Sequence, residues 1–154
     1  MLTWHEEQVI PVHIDHVWTL FQPDQLHRIM PNVVKHELVE GNHGEPGAKY
    51  EQSYQQGKRV ETYIVETLEH DDQPNEKHWK MKFAIGRAFQ IETEYTLKKQ
   101  NDSETLFIYK GKNEGTNWFG KLMMKMMSRK SNDKVLTKFM NRVEAEAKKE
   151  VEQA

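Results

Sequence analysis

Six consecutive segments between Val33 and Gly115 carry a period of two, and clusters of Gly, Pro, Asn and Asp separate them. The alternation is cleanest in HWKMKFAI, where Trp79, Met81, Phe83 and Ile85 face one way and Lys80 and Lys82 the other. AFQIETEYTLKK sets Phe89, Ile91, Thr93, Tyr95 and Leu97 against Gln90, Glu92, Glu94 and Thr96. VVKHELVE, AKYEQSYQQ, KRVETYIVETLE and TLFIYKGKNEG complete the set. Short turns between such strands predict an antiparallel meander. Each strand then has one apolar face, and that face needs a cover.

One segment is long enough to supply it. From Asn117 to about Glu152 there is no proline and no glycine after Gly120, which predicts one long helix capped by Thr116 or Asn117. Trp118, Phe119, Leu122, Met123 and Met126 make one apolar stripe, and Leu136, Met140, Val143 and Ala147 a second, rotated one. The stripes change over at Ser128–Asp133, by a bend or by a change of neighbour.

Ahead of the meander, Leu2 to Ile10 reads as a strand ended by Pro11. PVHIDHVWTLFQ predicts a short helix capped at Asp15 or just before it, with Ile14, Val17, Trp18 and Phe21 on one face. Pro23 stops it, and PDQLHRIMP predicts a second short helix that buries Leu26, Ile29 and Met30 and ends at Pro31. The expected architecture is α+β: a curved antiparallel sheet of about seven strands, two short helices after strand 1, and a long C-terminal helix gripped by the sheet. With no repeat and no linker, residues 1–154 are expected to form a single domain.

Composition narrows the functions. Hydrophobic residues make up 36% and charged residues 30% of the 154, a wet-surfaced profile unlike that of a disordered chain. No apolar run reaches the roughly 18 residues of a membrane span. MLTWHEEQVI has neither a basic n-region nor an apolar core, so no secretory signal is expected and a cytoplasmic location is the default. There are no cysteines for disulfides, thiolate metal sites or nucleophiles. The net charge of −2 leaves no global basic field for nucleic acid. From Trp118 onward, however, nine basic residues face five acidic ones.

The segment VIPVHIDHVWTLFQPDQLHRIMPNVVKHELVEGNHGEPG, Val9 to Gly47, resembles the START-like, or SRPBCC, superfamily of helix-grip proteins, which includes the birch-pollen-allergen-like and polyketide cyclase/dehydrase-like proteins. The features in common are a proline after the first strand, the pair Val17–Trp18 ahead of Leu20 and Phe21, and Leu26 ahead of Pro31 and Val33. The order of elements then agrees over essentially the whole chain. The resemblance implies a cavity between sheet and C-terminal helix that holds lipids, sterols, polyketides, flavonoids or hormones. Members include enzymes, carriers and proteins that act on protein partners.

The side chains give three readings of function. The first is binding of a small hydrophobic or amphipathic molecule. Its walls would be Trp79, Met81, Phe83, Phe89 and Ile91, faced by Phe119, Leu122, Met123, Met126 and Met127, whose methionines adapt to irregular ligands. Tyr50, Gln52, Tyr54, Thr93, Tyr95 and Tyr109 would add hydrogen-bonding tips. The second is cyclase/dehydrase-type catalysis, with Glu61, Tyr95 and Tyr109 as candidates. The inward parity of the strand holding Glu61 and Glu66 is open; an inward glutamate would have a raised pKa. The third is a protein-interaction or chaperone-associated module, whose face would be Lys121, Lys125, Arg129, Lys130 and Lys134.

No metal or cofactor is expected. His13 and His16 are three apart, but no HExxH and no carboxylate in register accompany them. They read as surface histidines at a helix start. His5, His27, His36, His43, His70 and His78 read as residues of strands and turns with charged neighbours. Gly41, Gly44 and Gly47 open no helix, so they read as a hairpin turn and not a phosphate cradle. Within KLMMKMMSRK, Met124 lies on the far side of the helix from Leu122 and Met126. It would pack on an edge strand or loop, or support the partner-surface reading.

Overall fold

The computed structural model describes residues 1–116 and 129–153. The order is β1 (Leu2–Ile10), α1 (Ile14–Thr19), a 3-10 turn (Leu26–Arg28), β2 (Val33–Glu40), β3 (Lys49–Gln56), β4 (Arg59–Asp72), β5 (Glu76–Ile85), β6 (Phe89–Asn101), β7 (Glu104–Gly115) and α2 (Arg129–Gln153). The seven strands make one antiparallel sheet, β1-β7-β6-β5-β4-β3-β2. β2 to β7 pair as a meander. β1 joins the far edge beside β7, so α1 and the 3-10 turn carry the chain from one edge of the sheet to the other. Register shifts at Thr67/Glu69 and Lys99/Asn101 add bend and twist to the long strands.

Local chemistry explains the elements. β1 alternates half-buried even positions with exposed odd ones from Leu2 to Val9. At the start of α1, His13 Nδ1 accepts the Asp15 amide at 3.1 Å, and Ile14, Val17 and Trp18 are buried. The segment between Pro23 and Pro31 forms the second short helix its pattern suggests, as a single 3-10 turn and not as an α-helix. Two prolines so close leave too few residues to repay helix nucleation. The turn still buries Leu26 and Ile29. Gly57 and Gly86, both at positive φ, make the tight β3–β4 and β5–β6 turns.

α2 buries Leu136, Met140, Val143 and Ala147, the second stripe of the expected long helix. Phe139 packs on Tyr109, Tyr95 and Phe107, with ring centroids 4.9, 6.1 and 6.2 Å away. Gln8 Nε2 of β1 donates to Glu144 at 3.2 Å. Arg28 reaches Glu146 at 3.2 Å and Glu150 at 2.5 Å. The first stripe, Met124, and the side chains of Lys121, Lys125, Arg129 and Lys130 lie outside the described residues; Lys134 is exposed. No described helix is long and apolar enough to cross a membrane. Among the described residues, the core joins α1, the 3-10 turn and α2 to the inner face of the sheet through Ile10, Phe21, Tyr95, Leu97 and Phe107.

Candidate functional site

The same inner face bounds a cavity of about 470 Å³, within the range typical of small-molecule sites. β5 contributes Trp79, Met81, Phe83 and Ile85. β6 contributes Phe89, Ile91, Thr93 and Tyr95. β3 adds Gln52, Tyr54 and Gln56, and β7 adds Tyr109. All these except Ile85 and Gln56 are positions the sequence suggested for a ligand wall. Phe119, Leu122, Met123, Met126 and Met127 lie outside the described residues.

Tyr50 is placed differently. It is buried outside this wall, with its hydroxyl tied to His43 Nδ1. Desolvation pushes its pKa up to about 12.

β4 settles its own open question. Gln52 pairs with Tyr63, Tyr54 with Glu61 and Tyr50 with Val65, so the odd residues of β4 share the inner face. Arg59, Glu61, Tyr63 and Val65 line the cavity. Glu66 points away, toward Lys82 at 3.7 Å. Trp4, Leu26, Met30 and Val33 also line the cavity, beyond the ligand wall that the sequence suggests. Leu26 and Met30 were legible as buried residues. Trp4 shares the parity of Leu2 and Ile10, but only the β1–β7 pairing brings it to the site.

The lining is apolar with a few polar tips. Tyr63 and Phe83 stack at 5.1 Å, and Tyr95 and Tyr109 at 5.2 Å. Gln52 Nε2 donates to the Tyr63 hydroxyl at 2.8 Å, and Asn32 Nδ2 to that of Tyr54 at 3.1 Å. Burial raises the pKa of Tyr63, Tyr95 and Tyr109, so their phenols stay protonated. They can donate hydrogen bonds to a bound molecule.

Glu61 lies on the lining with its carboxylate 2.6 Å from Arg59 Nη2. Their side chains are 38% and 79% exposed, so this pair stands where the cavity meets solvent.

Three histidines gather near Tyr50 and Trp18: His36 and His70 are half-buried, and His43 remains exposed. His36 stacks on Tyr50 at 4.5 Å, and its Nδ1 meets Gln52 Oε1 at 2.7 Å. His43 holds Tyr50 and Gln22, and its ring is 5.6 Å from that of His70. His70 in turn packs on Trp18. Desolvation lowers the pKa of all three. Period alone does not separate a histidine tucked under a hairpin loop from one in solvent. No described cluster of three or more His, Asp or Glu is arranged to hold a metal ion.

A seven-stranded antiparallel sheet with a long C-terminal helix packed on one face, and a ligand-sized cavity on that face, defines a helix-grip protein. The chain belongs to the polyketide cyclase/dehydrase and lipid transport family, whose model matches residues 1–148. Its structure is similar to that of the Zhui aromatase/cyclase from Streptomyces, with a TM-score of 0.74 at 12% identity over 97% of this chain and 95% of that one. It is also similar to Ara h 8.0201, at TM-score 0.70 and 14% identity over 98% of both chains. Norcoclaurine synthase from Thalictrum flavum, in complex with dopamine and hydroxybenzaldehyde, gives a TM-score of 0.60 at 13% identity over 94% of this chain and 84% of that one. No curated protein matches the sequence.

Proposed function

We propose that this chain, working as one domain, binds a small, mainly apolar molecule with a few oxygen functions: a lipid, a polyketide or an aromatic compound. The observation that carries this reading is the 470 Å³ cavity, walled by Trp79, Met81, Phe83, Phe89 and Ile91 and tipped by protonated phenols. Such a lining gains free energy by burying apolar surface, and its few donors orient the ligand. The aromatic ligands named for the norcoclaurine synthase structure are consistent with it.

A second reading, cyclase/dehydrase-type turnover, draws on the protonated state of Tyr95 and Tyr109. Phenols held neutral in this way can polarise a carbonyl by donating a hydrogen bond to it.

Native mass spectrometry of protein purified from its own cells tests binding, and is expected to find an adduct of small-molecule mass. Protein that carries no adduct and takes up no neutral naphthyl dye would overturn the reading. The bound compound, once identified, separates the two readings. A carrier returns it unchanged, whereas an enzyme converts it and loses turnover faster than affinity when Tyr95 or Tyr109 becomes Phe.

A further inference from the structure

Four buried side-chain polar atoms of the described residues make no well-formed hydrogen bond: Trp4 Nε1, His36 Nε2, Thr93 Oγ1 and Asn113 Oδ1. The Tyr109 hydroxyl is at most a long or bent acceptor for the Trp4 N–H, and the Tyr95 hydroxyl a similarly poor partner for Thr93. Native folds rarely leave such groups unmet, because each has given up its water without replacement. Trp4 and Thr93 both line the cavity. Thr93 is only 6% exposed, so bulk solvent does not serve it.

The sheet register brings the two together. Trp4 pairs with Gly111, and Gly111 pairs with Thr93, so the three form one row across β1, β7 and β6. Gly111 has no side chain, and the Trp4 indole occupies the space one would take. A Cβ there would overlap Cε2 and Cζ2, the edge of the ring next to Nε1. Tyr109 adjoins this corner with its ring 5.8 Å from that of Trp4, and Tyr95 stacks on Tyr109.

We propose that Trp4 and Thr93 form a polar subsite for one neutral oxygen of the bound molecule, a ketone carbonyl or a hydroxyl. The indole N–H donates to that oxygen, and the threonine hydroxyl donates to it or accepts from it. The neutrality follows from the lining. Arg59 is its one cationic side chain among the described residues, and it sits on β4, paired with Glu61. A carboxylate at the Trp4 corner would lose its water and meet no opposite charge.

This inference rests on the binding reading above, and one experiment separates their failures. Displacement of N-phenyl-1-naphthylamine is measured with 2-acetylnaphthalene, 2-ethylnaphthalene and 2-naphthoate, probes of similar shape that differ in one function. Thr93→Val keeps the side-chain shape and deletes the hydroxyl; Trp4→Phe keeps a ring and deletes the N–H. Each is expected to weaken the ketone by about 5- to 10-fold, with a much smaller change for the hydrocarbon. Thr93→Ser is expected to retain most of the ketone affinity.

Equal shifts for ketone and hydrocarbon, or none for either, would overturn the subsite while leaving the cavity reading intact. Tighter binding of naphthoate than of the ketone would overturn its neutrality. If the dye and all three probes fail to bind, the cavity reading falls with it.

Discussion

Gln52 Nε2 donates to the Tyr63 hydroxyl at 2.8 Å, across the β3–β4 register that sets the two residues opposite each other. The Gln52 oxygen accepts from His36 Nδ1 at 2.7 Å, and the residue is 7% exposed. The amide thus ties β2, β3 and β4 together beside the cavity. Gln52→Leu removes both bonds and leaves two half-buried partners unmet. A loss of about 2 kcal/mol is expected, read as a lower urea midpoint at unchanged slope. A loss under about 0.5 kcal/mol would mean that water replaces the amide.

Acid should destabilise the fold through the histidines beside Tyr50. Partial desolvation holds His36, His43 and His70 below their usual pKa, opposed by the Gln52 hydrogen bond at His36 and by the carboxylates of Asp72 and Asp71 at His70. The unfolded chain, titrating near 6.5, therefore takes up more protons than the native one. Their contribution to stability is complete above that pH and is lost as pH falls through it toward the lower folded values. Urea midpoints should drop between about pH 7.5 and about pH 5.5, and less in a variant with all three changed to Gln. A midpoint that holds or rises over this interval would contradict the assignment.

Gly111→Ala should be costly although only a methyl group is added. The indole of Trp4 lies where the Cβ would go, and the Glu92 carbonyl oxygen would be 2.8 Å away. Overpacking of this kind costs about 1–3 kcal/mol, measurable by thermal or urea unfolding. The coupling can be isolated with Trp4→Ala: the Gly111→Ala penalty should shrink in that background. An unchanged penalty would assign the strain to Glu92 instead.

Ile91→Trp should fill cavity volume without loss of fold. Ile91 is half-buried on the cavity wall, so the larger ring has space to enter. Dye affinity is expected to fall at least about tenfold, a change of about 1.4 kcal/mol, with the melting temperature unchanged or higher. Full affinity with a filled cavity would move the dye site elsewhere.

Arg28 anchors the 3-10 turn to α2 through Glu146 and Glu150, with side chains 16–22% exposed. The Lys149 ammonium and the Arg28 guanidinium hold the Glu146 carboxyl below its usual pKa. Arg28→Gln is expected to cost about 1 kcal/mol. The cost should shrink in about 1 M salt, where the Debye length is roughly 3 Å. A cost independent of salt would point to lost packing of the arginine stem.

Where side-chain period is a local property, the sequence alone was enough. β1 and β2 run from Leu2 to Ile10 and from Val33 to Glu40 as their patterns indicate, and α2 buries the stripe from Leu136 to Ala147. The inward row of β5 was legible for the same reason: Trp79, Met81 and Phe83 alternate with lysines. β4 was not legible, because apolar residues occupy both its faces. Val60 and Ile64 are 52% and 45% exposed while Val65 is buried, and only pairing with β3 distinguishes the two sets. The half-burial of His36 and His70, the crossing of the chain from β1 to β2, and the meeting of Trp4 with Thr93 were likewise decided by tertiary structure. Trp4 and Thr93 are 89 positions apart in the numbering and meet through β7, a strand placed by long-range pairing. Alternation states which side chains share a face of one strand, but register and sheet order state which of them share a site.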